Sequence, residues 1–321
     1  MRSRVSLAVM LVRHWAAMLA GKSYWHAPQP PGRVFRPGKL EGYFNDMTHK
    51  TVWDGPVDDT YGIPVIKSNS GALITFPITA FQKAVGHWDC WLESGRRDTA
   101  HSEAFANIVR WALDNQDVNG GWTTWSLLYP DTTFPYSAMS QGEGLSVLTR
   151  AYTESPTENL KAAIERAESL ILTDLESGGV CWRDSAGLVL EEKPFAEPGS
   201  ILNGWVYSLF GLYDLAILFP SEERKANLAS TVNALATRLE RYDTGYWSSY
   251  DLLGNLASPF YHDVHVAQLE ILDSVFGKQF PVFGAVKNRW RNWSHSRLHR
   301  TRATLAKGYQ KLRRPPRQFM R

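Results

Sequence analysis

From Pro77 to about Leu312, apolar and polar residues recur at helical spacing. In "TAHSEAFANIVRWALDNQ" the apolar positions 104, 105, 108, 109, 112 and 113 fall on one helix face, and Thr99 is placed to cap it. The preceding "ITAFQKAVGHWDCWLESG" ends in Gly, a common helix stop. Further helices are predicted in "SAMSQGEGLSVLTRAYTES" and in "TENLKAAIERAESLILTDLE", capped by Thr157. "LNGWVYSLFGLYDLAILF" and "SEERKANLASTVNALATRLERY" read as a pair, the second opened by Ser221 with Glu222 and Glu223 in its first turn. "HDVHVAQLEILDSVFG" is another helix, and "PVFGAVKNRWRNWSHSRLHRTRATLAKGYQKL" holds one or two more.

Two stretches read as β-hairpins. "YGIPVIKSNSGALITFPI" turns at Ser68-Asn69-Ser70-Gly71, and "GGVCWRDSAGLVLEE" turns at Asp184-Ser185-Ala186-Gly187. "HAPQPPGRVFRPGKLEGYF" is rich in Pro and Gly and reads as an extended arm. The predicted fold class is therefore mainly α: antiparallel helix pairs with short connections and a few short β-hairpins. Pairs set side by side in a ring make an (α/α) toroid; a plain bundle or a helical solenoid competes, although no fixed-period repeat demands the latter. The expected organisation is a basic N-terminal helix and arm at 1–40, a hairpin region at 41–75, an (α/α) catalytic domain at 76–300 and a basic tail at 301–321.

Charge changes the picture more than composition does. Residues 1–40 carry seven Lys/Arg and 285–321 carry twelve, with no acid in either. Sixteen of the thirty-five basic residues then remain between 41 and 284, against all thirty-two acids, so an acidic body lies between two basic ends. Such ends are either solvated or meet an anionic surface or polymer. No nucleic-acid recognition motif accompanies them, so nucleic acid is not an expected partner. "VSLAVMLV" is too short to span a bilayer and is followed at once by Arg13 and His14. An amphipathic helix lying on a membrane or on the protein body fits it better. The compartment stays open between cytoplasm and membrane periphery. Two cysteines, Cys90 and Cys181, rule out a disulfide-dense scaffold and a four-cysteine zinc site.

Five blocks then carry a resemblance: "NQDVNGGW" (115–122), "YSAMSQGEGLSVLTRAY" (136–152), "LNGWVYSLFGLYDL" (202–215), "YDTGYWSSYDL" (242–252) and "YHDVHVAQL" (261–269). In this order and at this spacing they resemble the C-terminal catalytic domain of the D-glucuronyl C5-epimerases, over about residues 108 to 295. The resemblance implies an (α/α) toroid whose cleft takes an acidic, uronate-containing polysaccharide. It also implies that Tyr250 and Tyr261 carry the catalysis, with Glu192 of "LEEKP" as the acidic residue beside the sugar.

The chemistry suits these residue types. Inverting C5 of a uronate requires a base on one face, an acid on the other, and positive charge opposite the carboxylate as the proton leaves. Tyrosine can fill either proton role when cations or helix dipoles pull its pKa down from about 10. Tyr250 and Tyr261 are expected on two loops that converge on one sugar. His262 and His265 are candidates to orient them or to meet the carboxylate. Tyr136, Gln141, Glu143 and Asn203 are candidates for sugar hydroxyls, Gln141 and Glu143 at a loop-to-helix junction. Each has a plainer reading as a core or capping residue.

Two positions depart from the family pattern. Lys193 stands where the family has a tyrosine, and Leu253 where it has an arginine suited to gripping a carboxylate. Lys193 is therefore expected to supply the missing cation. No cofactor or metal is expected, since His262 and His265 with only Asp263 nearby form a weak ligand set. The expected activity is uronosyl C5-epimerisation. A polysaccharide lyase sharing the first step, and a non-catalytic glycan-binding member, stay open beside it, as does a homodimer.

Overall fold

A computed structural model describes residues 23–68, 71–195 and 197–313. The expected N-terminal amphipathic helix and the end of the basic tail lie outside these residues, as does the tip of the first turn. Nine α-helices and two antiparallel hairpins are present among the described residues. The helices are α1 (Pro77–Glu93), α2 (Thr99–Asp114), α3 (Ala138–Glu154), α4 (Glu158–Ile171), α5 (Leu202–Leu218), α6 (Glu222–Arg238), α7 (Pro259–Phe276), α8 (Val282–His295) and α9 (Arg297–Arg313). The hairpins pair β1 (Val65–Lys67) with β2 (Leu73–Thr75), and β3 (Cys181–Asp184) with β4 (Gly187–Leu190). The mainly helical class is as expected from sequence.

Burial sorts the helices into two rows. α3 is buried without interruption from Ala138 to Ala151, and α5 from Leu202 to Leu215. A helix buried on every side belongs to an inner layer. α4 instead buries one stripe, Leu160, Ala163, Ile164, Ala167, Leu170 and Ile171, the signature of an outer helix. Each odd-numbered helix from α1 to α7 packs on the next odd-numbered one, and each takes the following helix as its outer partner. α9 follows α8 and packs over the end of α7.

The centre of this array is the approach of α3 to α5. A Cβ on Gly142 would lie 2.4 Å from Ser208 Cα, and one on Gly211 would lie 2.3 Å from the Gly142 carbonyl oxygen. The two backbones therefore touch, which only glycine permits. Further along the interface, Arg150 donates to Asp214, and both side chains are fully buried. Arg150 also donates to the Glu41 and Gly42 carbonyls and so fastens the Pro/Gly-rich arm to the inner row. The arm doubles back on itself through the Pro31–Asn45 bridge and stacks Phe44 on Phe210 at 4.0 Å.

Most sequence-level caps hold: Thr157 accepts from Leu160 N, and Ser221 accepts from Arg224 N. One differs. Asp98, not Thr99, caps α2, accepting from Ala100 N while its own N–H is held by Ser94 Oγ. Two capping types stood side by side, and the carboxylate holds the position. Both cysteines are free, Cys181 buried and Cys90 half-buried.

Gly211→Ala tests the central contact. An added methyl would gain about 1 kcal/mol of helix propensity but overpack backbone against backbone by roughly 3 kcal/mol. The expected outcome is a protein about 2 kcal/mol less stable in urea unfolding; an unchanged or raised midpoint would show that α3 and α5 can separate freely.

Candidate active site

Tyr250 and Tyr261 come together. Their half-buried rings lie 4.9 Å apart between centroids, tilted by 57°, and their hydroxyls hydrogen-bond. The chain achieves this with two local devices. Residues 243–257 fold back as an irregular hairpin, with bridges Asp243–Ser248 and Ser249–Leu256. Asp251 closes its tip: Oδ1 accepts from Leu253 N and Asn255 N, Oδ2 from the Asn255 side chain, and Gly254 supplies the positive φ of 83°. The second device is the start of α7. Ser258 accepts from Tyr261 N and Pro259 occupies the first turn, so Tyr261 lies inside the helix, not on a loop as expected from sequence. Tyr250 O accepts from Leu202 N, which ties the same hairpin to the start of α5.

His262 and His265 hold this arrangement from beneath. Ser248 Oγ lies 2.8 Å from His262 Nδ1 and 2.9 Å from His265 Nδ1. Ser248 N–H also donates to His262 Nδ1, so Nε2 carries the proton and donates to the Trp290 carbonyl. Trp247 stacks on the His262 ring at 3.7 Å. Burial pushes His262 down to about 4 and His265 well below the ordinary value, so both are neutral imidazoles. His262 thus braces the tyrosine hairpin with both nitrogens, whereas His265 Nε2 has no protein partner.

Glu192 follows β4 and points over the first turn of α5, where a Cβ on Gly204 would lie 2.3 Å from its Oε2. That oxygen is buried without a partner. Burial raises the carboxyl from 4.5 to about 7; Lys193 lowers it, while Glu191 and Asp251 raise it. Both phenols are in turn pushed above 10, first by burial and next by the Glu192 carboxylate. The sequence leads one to expect cations or helix dipoles lowering the tyrosines; burial and the Glu192 charge instead raise them. Lys193 lies 4.9 Å from the Trp125 ring and has its pKa lowered by burial against the pull of Glu192 and Asp251. Leu253 is exposed on the hairpin.

The remaining candidates divide. Gln141 and Glu143 lie in the first two turns of α3, close to the loop-to-helix junction, and both are fully buried. Both amide atoms of Gln141, Glu143 Oε2, Asn203 Oδ1 and Gln268 Oε1 are buried without partners, in addition to the Glu192 and His265 atoms. Electrostatic coupling links Glu143 to Glu192 and to Tyr207, and Tyr207 to Tyr261, so this polar interior is continuous with the tyrosine pair. Tyr136 does not join it: its hydroxyl donates to Asp117 and accepts from Asn119 in the 117–121 turn.

Three groups went unnoticed in the sequence. Gln82 of α1 donates to Glu143, and Lys50 is buried within reach of the same carboxylate. Lys307 of α9 places its ammonium 6.0 Å from the Tyr250 ring centre, and burial lowers it to about 8 against the pull of Asp251. Nothing in "LAKGYQKL" separates Lys307 from the other basic residues of its run. No group of three or more His, Cys, Asp or Glu side chains that could hold a metal ion occurs among the described residues.

Residues 133–292 match the family described as D-glucuronyl C5-epimerase C-terminus. The chain is also 31% identical over 227 residues to a D-glucuronyl C5-epimerase of Caenorhabditis elegans, an alignment covering 63% of this chain and 36% of the relative. The match thus spans little more than a third of that protein's length.

The Glu192 titration is directly testable. Its folded value of about 7 exceeds the ordinary 4.5, so its contribution to stability is full below about 4.5 and is lost as pH rises through 7. Glu192→Gln lacks that loss. Relative to wild type, its stability should rise between pH 4.5 and pH 7 and then level off, as read by urea unfolding across pH. A constant difference over that range would place the carboxylate in water.

Proposed function

The chain belongs to the D-glucuronyl C5-epimerase family through residues 133–292, and we propose that it inverts C5 of glucuronate-type residues in an acidic polysaccharide. The observation that carries this reading is the buried Glu192 carboxylate held beside the hydrogen-bonded pair Tyr250–Tyr261. At neutral pH a carboxyl with a pKa near 7 is partly ionised and basic enough to take a proton, while phenols raised above 10 stay protonated. The roles therefore divide: Glu192 removes the C5 proton, and the tyrosine pair returns one to the opposite face. When the C5–H bond breaks, its electron pair spreads into the sugar carboxylate. Tyr261 then gives its proton to C5, and Tyr250, which donates to Tyr261, shares the resulting phenolate charge. The proton on Glu192 returns to the pair through solvent, and the enzyme is restored.

Positive charge must face the sugar carboxylate during this step. Leu253 supplies none. Lys193 and Lys307, both coupled to Asp251 beside Tyr250, are assigned this role. The unpartnered amide and carboxyl atoms of Gln141, Glu143, Asn203 and Gln268 are suited to sugar hydroxyls, since buried polar atoms require partners. The four helix hairpins are read as an arc of the (α/α) toroid that the family resemblance implies.

The test is NMR of uronate polymers incubated with the protein in heavy water. Deuterium should enter C5 without chain cleavage, at a rate rising as pH passes 7. Tyr250→Phe, Tyr261→Phe and Glu192→Gln should each abolish exchange, and Lys307→Met or Lys193→Met should slow it by roughly 100-fold, the usual scale for one lost electrostatic stabiliser. An ultraviolet-absorbing unsaturated end would make the protein a lyase instead. Full exchange in both tyrosine variants would remove the pair from the chemistry.

A further inference from the structure

α9 has two unlike faces. One side packs on the body: Ala303 is buried, and Gln310 accepts from Leu256 N and donates to the Gly254 carbonyl. On the opposite side Leu298, Leu305, Tyr309 and Leu312 are 84, 70, 56 and 82% exposed, far more than isolated surface apolar residues need. At 3.6 residues per turn these four fall within an arc of about 60° along a stripe roughly 21 Å long. Arg297, Arg302 and Arg313 are exposed along its flanks, and no acid occurs from 285 to 321.

We propose that this face of α9 is a docking surface for an anionic lipid bilayer. An amphipathic helix lies in the interface by burying its apolar side at the headgroup boundary while its flanking cations meet anionic lipid. Charge complementarity favours this occupant. A second copy laid on the stripe would bring two sets of arginines together with no acid to offset them. A polyanionic glycan would neutralise the arginines but offers the three leucines no apolar phase. A bilayer does both. Docking in this way holds α9, and the Gly254–Leu256 segment bound to it, about one helix diameter (~10 Å) from the lipid surface. The proposal is independent of the reaction assigned to the tyrosine pair.

The full chain should co-sediment with phosphatidylcholine vesicles containing phosphatidylserine, less so as salt is added, and weakly with phosphatidylcholine alone. Leu298→Ser combined with Leu305→Ser and Leu312→Ser should partition about tenfold or more weakly, given the apolar area removed from the interface. Its circular dichroism and unfolding midpoint should match wild type, because these side chains face solvent. Arg297→Gln with Arg313→Gln, which keeps the stripe, should lose the preference for phosphatidylserine. Wild type that binds no vesicle, or a leucine variant that binds as wild type does, would overturn the proposal. So would a wild-type dimer that the leucine variant turns into monomer in ultracentrifugation, or a uronate polymer that binds the leucine variant tenfold more weakly.

Discussion

The contact between α3 and α5 sets the conditions for everything around it. Gly142 and Gly211 bring the backbones together, so neither helix has a solvent side at its centre. Polar residues on these helices then have only the interior to occupy. At one end of the interface Arg150 and Asp214 neutralise one another and anchor the arm. Elsewhere Gln141, Glu143 and Asn203 keep atoms without protein partners. A buried ion pair is weak evidence for stability, and unpartnered polar atoms lower it. The contact therefore trades stability for a polar interior at a defined place in an otherwise apolar core.

That interior dictates the acid–base character of the site. Gly204 lets Glu192 lie against the first turn of α5, away from water, and burial outweighs the opposing pull of Lys193. The same carboxylate raises both phenols. Burial thus raises all three groups, and the Glu192 charge adds to the rise of the two phenols, which leaves the carboxyl near 7 beside phenols above 10. Groups whose environments hold their pKa values apart are the usual mark of divided proton roles.

Much of this was legible in the chain. Periodicity and turn residues mark the helices and both hairpins, and the blocks from 115 to 269 carry the family resemblance. The failures have physical causes. Tyr261 was placed on a loop because the helix was started at the apolar pattern, whereas Ser258-Pro259 begins it earlier. The burial of Gln141 and Glu143 was not legible, because polar residues in a helix ordinarily face water and here the helix has no water-facing side. Lys307 and Lys50 act across long sequence separations, and a lysine in a basic or polar run carries no sign of where its ammonium ends. The direction of the tyrosine shifts depended on desolvation, which sequence does not encode residue by residue.

The charge segregation then acquires a structural meaning. A body with twice as many acids as bases between 41 and 284 repels a polyanion at long range, so cations must be concentrated where an anionic ligand is held. The basic C-terminal run provides one such concentration, and α9 divides it by face. Lys307 turns inward toward Tyr250 and Asp251, while Arg297 and Arg313 are exposed beside the leucine stripe and Arg302 stacks on Tyr246 at its edge. The inner lysine sits in a region dry enough to lower its pKa, where a charge acts strongly at short range; the outer arginines act through water, where screening limits them to about 10 Å. On the two proposals made above, a single helix serves two anionic partners without their competing, because each face reaches only the partner on its own side.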